Sequence, residues 1–120
     1  VDYPVKTHCC SGHMPQISEP QAFELLRRLL QSAQDYHADL ILCMCPMCQL
    51  NLDAYQPRVA EITPGFRTIP VMYISQVLAL LAGLEGIQDF GLHVVDPRPV
   101  LRARGLIGAD AVPVTKGAGG

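Results

Sequence analysis

The chain has 120 residues and a mass of 13.1 kDa, with nine Lys and Arg against eleven Asp and Glu, for a formal charge of −2. Nearly half of it is hydrophobic (49%) and only 17% is charged, which fits a single folded domain with one core and excludes a chain that is disordered as a whole. That balance leaves no electrostatic footprint for nucleic acid or an anionic membrane surface.

In chain order, VDYPVKTHCCSG begins as a short extended stretch and reaches an adjacent cysteine pair, Cys9 and Cys10, at a Ser-Gly turn. ISEPQAFELLRRLLQSAQDYHAD carries the strongest helix signal. Ser18 is placed to cap it, Gln21 stands at the capping-box position and Pro20 is tolerated in the first turn. Phe23, Leu26, Leu30 and Ala33 recur at helical spacing, with Leu25 and Leu29 widening the apolar stripe. ADLILCMC is a short apolar run without alternation, which predicts a strand over 40–44 buried on both faces, as in a helix-covered parallel sheet. PMCQLNLDAYQ reads as a helix with Cys48 in its first turn. TIPVMYISQVLALLAGLEG predicts a strand over 69–74, a Ser75 cap and an apolar helix over 75–84 closed by glycine, buried in this core or against a second domain. GLHVVDPRPVLRARGL predicts a last strand or extended segment, then a short helix capped by Asp96 with Pro97 at its first position. Residues 1–106 form the expected domain. Residues 107–120 have little to bury and are expected to be a flexible tail.

Alternating strands and helices imply an α/β class: a small, mostly parallel sheet with helices on both faces, Rossmann-like. In such sheets ligands collect beyond the carboxyl ends of the strands. Cys45 and Cys48 stand at the end of strand 40–44, and Cys9 and Cys10 follow the first extended segment, so both pairs are expected at one rim.

Five cysteines is an odd number, and they are clustered rather than spread as a disulfide framework. No apolar run is long enough to span a bilayer, and the amino terminus lacks a signal-peptide pattern, which makes the cytoplasm the expected compartment and metal or redox chemistry the expected use of the thiols. The first residue, Val1, is read as the start of an excised or processed piece. Four uses of the cysteines stand open. Cys43 lies in a strand outside the CxxC spacing and is expected to be a core residue rather than a ligand. CPMC at a helix start suits a thioredoxin-like dithiol, with Pro70 as the candidate cis proline, but it leaves Cys9 and Cys10 without a role. A structural zinc ion would take the CxxC and two of Cys9, Cys10, His8 and His13, although adjacent side chains diverge and rarely reach one ion. An iron–sulfur cluster is several ångströms across and offers different irons to neighbouring thiolates, which suits a vicinal pair.

The combination of HCCSGHMPQISEPQAFELL, ADLILCMCPMCQLNLDAYQ and IPVMYISQVLALLAGL resembles the cysteine-rich CCG domain of the heterodisulfide reductase B subunit, in its carboxyl-terminal copy, over most of residues 5–105. The resemblance implies that Cys9, Cys10, Cys45 and Cys48 ligate a non-cubane [4Fe–4S] cluster, with zinc or an empty site as the alternative in an isolated preparation. It implies a facing sister CCG domain, iron–sulfur and flavin partner subunits, and a disulfide or sulfur-carrier substrate reduced or formed at the site. His8 or His13 would protonate a departing thiolate. The family's first cysteine has no counterpart here, and its glycine after the pair is Ser11. Without the facing domain, the chain alone is not expected to catalyse the full reaction.

Overall fold

A computed structural model of the chain describes residues 1–84, 86 and 89–108. A single 3₁₀ turn, Met14–Gln16, leads into helix α1 (Glu19–Asp35). Strand β1 (Ile41–Cys43) follows, then helices α2 (Pro46–Ala54) and α3 (Gln56–Ile62), strand β2 (Val71–Tyr73) and helix α4 (Ile74–Leu81). A second 3₁₀ turn, Phe90–Leu92, precedes helix α5 (Arg98–Ala103). The two strands pair in parallel, with Ile41, Leu42 and Cys43 opposite Val71, Met72 and Tyr73. The expected α/β class holds, and among the described residues the sheet has two strands. The opening segment turns rather than extends, with His8 N donating to Val5 O at 2.9 Å.

The apolar stripe of α1 is the organising surface. Ala22, Phe23, Leu26, Leu29, Leu30 and Ala33 are buried against Ile41, Leu52, Val59 and Val71. On the other face of β2, Met72 packs with Leu101 of α5 and with Ile107. A parallel strand covered on both sides buries consecutive residues, and Val71 and Met72 are both fully buried. β1 does not follow that expectation: Ile41 is buried but Leu42 is 46% exposed, because one face of this strand opens onto a cavity rather than a helix.

Several boundaries differ from the sequence expectations for local reasons. Ser18 is the N-cap of α1, but its side chain makes no capping bond. The helix after the cysteines breaks at Tyr55 and restarts as α3, with Pro57 in its first turn. Ser75 is not a cap; α4 begins at Ile74, and Gln76 Oε1 accepts the Tyr73 backbone N–H at 2.9 Å. At its other end, Gly83 takes φ +75 while Leu84 N donates to Ala79 O and Gly83 N to Leu80 O, the paired closure that glycine permits. The burial expected of this helix within the core does not hold. No residue of α4 is fully buried, and Ile74, Leu78 and Leu81 are exposed along one face. No strand forms around His93. α5 starts at Arg98, one residue later than expected, and Asp96 accepts the Arg98 backbone N–H at 2.9 Å. Ile107, expected at the head of a flexible tail, is buried at 8% exposure. Residues 109–120 of that tail lie outside the described residues.

Candidate functional site

The loop after β1 carries the chain directly into α2. Cys45 is the N-cap of that helix, in extended conformation, Pro46 supplies the first helical φ, and Cys48 occupies the third helical position. The free backbone N–H groups of this first turn favour negative charge. Those of Met47 and Cys48 bond to the Cys45 sulfur and lower its pKa. Cys48 is pushed the other way, up to about 12, first by burial and then by the neighbouring Cys10 and Cys45 thiols.

Cys10 reaches this site by an unusual turn. Ser11 takes φ +73 and Gly12 φ +52, which folds the chain back so that the Cys10 side chain enters the core while Cys9 remains exposed. Asn51, one helical turn beyond Cys48 and 2% exposed, holds the turn in place. Its Nδ2 donates to Cys10 O at 3.0 Å and to Gly12 O at 2.7 Å. Sequence reasoning did not single out Asn51; its i, i+3 spacing from Cys48 on one helix face was the available signal.

The result is a cavity of about 940 Å³ at the mouth of β1. Cys10, Cys43, Cys45 and Cys48 all line it, Leu29, Ile41 and Leu52 give it apolar walls, and Lys6, His8, His37 and Arg104 stand along it. Of the four cysteines expected to act together, three meet here; Cys9 is not among the lining residues. Cys43 packs against the core, as expected, and also faces the cavity. Burial pushes its thiol up to about 11. His13 is exposed and precedes the first 3₁₀ turn, away from the cavity lining. His93 is held structurally, with Gln76 Nε2 at 3.0 Å from its Nε2 and Gln49 Nε2 at 3.4 Å from its Nδ1. Late in the chain, Arg98 pairs with Asp96 and Arg104 with Asp39.

These pKa shifts order the thiols. Burial and its thiol neighbours hold Cys48 well above an ordinary thiol, so little of it is thiolate near neutral pH, and its greater intrinsic nucleophilicity recovers only part of that loss. Cys45, with a lowered pKa and full exposure, is therefore expected to be alkylated by iodoacetamide at least about tenfold faster than Cys48 in metal-free protein at about pH 8. Peptide mapping over a time course checks the order, and equal rates would contradict the helix-terminus argument.

Two observations bear on what the site can hold. The donors are thiols, the preferred ligands of iron–sulfur clusters, yet among the described residues no three His, Cys, Asp or Glu side chains are arranged to hold a single metal ion. A tetrahedral zinc site needs convergent donors, whereas a multi-iron cluster accepts separated ones. Beside Cys10, the Ser11 hydroxyl is buried without a hydrogen-bond partner and sits on a left-handed backbone. Both features are destabilising by roughly 1 kcal/mol each. Ser11→Gly is expected to raise the stability of the metal-free chain by about 1 kcal/mol after the added unfolded-state entropy is counted, as read by urea unfolding. A loss of stability would show that the hydroxyl has a partner.

The cysteine-rich (CCG) domain family matches residues 1–53. The chain is 27% identical over 93 residues to the 8-methylmenaquinol:fumarate reductase membrane anchor subunit of Wolinella succinogenes, covering 78% of this chain and 32% of that protein. It is 32% identical over 87 residues to the B subunit of the ferredoxin:CoB-CoM heterodisulfide reductase of Methanosarcina mazei, covering 71% and 29%. It is 29% identical over 96 residues to a protein of Archaeoglobus profundus named as like the heterodisulfide reductase B subunit, covering 78% and 32%. The chain thus spans about a third of the length of these relatives. Although one relative is named a membrane anchor, no helix among the described residues here is long and apolar enough to cross a membrane.

Proposed function

We propose that the chain, whose residues 1–53 match the cysteine-rich CCG family, is part of a heterodisulfide reductase-like B subunit that holds a non-cubane [4Fe–4S] cluster through Cys9, Cys10, Cys45 and Cys48. The observation that carries this reading is the meeting of Cys10, Cys45 and Cys48 at one cavity although 34 residues lie between Cys10 and Cys45 in sequence. The residue fit supports a cluster over zinc, because the donors are thiols and no single-ion arrangement exists among the described residues.

When bound, the cluster would supply one-electron redox chemistry and an iron site open to a substrate sulfur. The chain's own residues do the rest. Cys45 offers a thiolate at low cost because helix N–H groups face it. Cys48 enters as a thiol and must release a proton when it ligates, so loading becomes more favourable as pH rises. The apolar walls limit water around the sulfurs, and the methylene arms of a thiol or disulfide substrate would lie against Leu29 and Leu52. His8 lines the cavity and would deliver a proton to a thiolate leaving it. A sister CCG domain and iron–sulfur and flavin subunits would complete the disulfide or sulfur chemistry in a cytoplasmic complex. The five free cysteines suit a reducing compartment.

The test is metal and sulfide analysis with a visible spectrum on anaerobically purified, iron-replete chain. About four irons and four sulfides per chain, lost in Cys10→Ser and in Cys48→Ser, is the expected result. One tightly held zinc without sulfide would overturn it.

A further inference from the structure

The cavity holds one thiol that the CCG spacing does not account for. Resting on the cluster-binding reading above, we propose that Cys43 is a further thiolate ligand of the same cluster, acting with Cys10, Cys45 and Cys48 from the cavity wall.

The backbone provides the reason. Cys43 ends β1 and Cys45 continues in extended conformation at φ −96, ψ 130. The chain bends at Met44 between them, and on either side of that bend Cys43 and Cys45 both line the cavity with Cys10 and Cys48. Cys9, which does belong to the spacing, is exposed and does not line it. The Cys43 sulfur is also lightly held. Its contacts are Gln49 Oε1 at 3.4 Å and Met72 O at 3.6 Å, and because a thiol is a weak donor a ligating sulfur gives them up at small cost. Gln49 does not depend on them for its position, because its Nε2 donates to Val71 O at 2.9 Å. A cluster with several irons can take such a ligand without convergence on one point.

Cys43→Val and Cys43→Ser, reconstituted anaerobically with ferrous iron and sulfide, separate a ligand from a packing residue. Valine matches the half-buried strand position in size and strand preference, and serine keeps a donor for Gln49. If Cys43 ligates, both variants retain the far-ultraviolet signal of the fold yet bind at least about twofold less iron and sulfide, with shifted charge-transfer bands. If both load iron and sulfide as the unmodified chain does, with an unchanged spectrum, the proposal is overturned while cluster binding stands. If the unmodified chain itself takes up no iron and sulfide, both readings fail together.

Discussion

Asn51→Leu is expected to lower the stability of the chain by about 2–3 kcal/mol and, in addition, to reduce anaerobic iron and sulfide loading severalfold. The leucine nearly conserves volume, so the packing of α2 changes little, but the amide bonds to Cys10 O and Gly12 O are gone. Cys10 is buried, and its carbonyl has no ready access to water; an unsatisfied buried acceptor costs about 1–3 kcal/mol. Against a whole-domain stability of about 5–15 kcal/mol this is a large share. The effect on loading follows from geometry: Asn51 links the helix that carries Cys48 to the turn that carries Cys10 through two bonds to that turn's backbone. Asn51→Asp sharpens the test. A carboxylate would face two carbonyl oxygens, so this variant is expected to be less stable than Asn51→Leu at neutral pH. It should recover part of the difference as pH falls and the carboxyl group gains a proton to donate. Urea unfolding at two pH values, with iron analysis alongside, checks both. Unchanged loading in Asn51→Leu would show that the turn holds Cys10 in place without this contact.

How much of this was legible in the sequence depends on the kind of signal. The α1 stripe of Phe23, Leu26, Leu30 and Ala33 and the strand-CPMC-helix order are periodic and local, and they appear where expected. The meeting of distant cysteines was expected from a first strand and its crossover helix returning the chain to one rim; three of them do share a cavity, but the segment before Cys10 is a turn and not a strand. That logic could not say which member of an adjacent pair turns inward. The choice of Cys10 over Cys9 depends on left-handed φ values at Ser11 and Gly12, and a serine gives no sequence sign of one. α4 shows a different limit. Ile74, Leu78 and Leu81 are apolar at helical spacing, which indicates that a face seeks cover but not that this chain provides it. Cys43 likewise reads as a core residue, and it becomes a site candidate only when the cavity beside β1 is seen.

The polar core residues were the least legible, and Gln56 is the strongest case. Fully buried at the start of α3, it imitates a neighbouring strand: its Nε2 donates to Ile69 O at 2.6 Å while its Oε1 accepts Ile69 N–H at 2.9 Å. The same Nε2 donates to Leu52 O at 2.8 Å, so one side chain joins the end of α2 to the segment entering β2. In sequence it is one glutamine before a proline, a position usually exposed. Gln56→Leu leaves the N–H and C=O of a residue only 3% exposed without partners, and is expected to cost about 3–5 kcal/mol. For a domain of this size that corresponds to a fall in melting temperature of about 12–20 °C. Comparison with Asn51→Leu then separates two kinds of support. Gln56 is bonded to the sheet rather than to the cysteine turn, so folded Gln56→Leu at low temperature should load iron and sulfide like the unmodified chain despite the larger loss of stability. If loading instead fell in step with stability in both variants, the turn at Cys10 would be held by the fold as a whole and Asn51 would have no separate part in building the site.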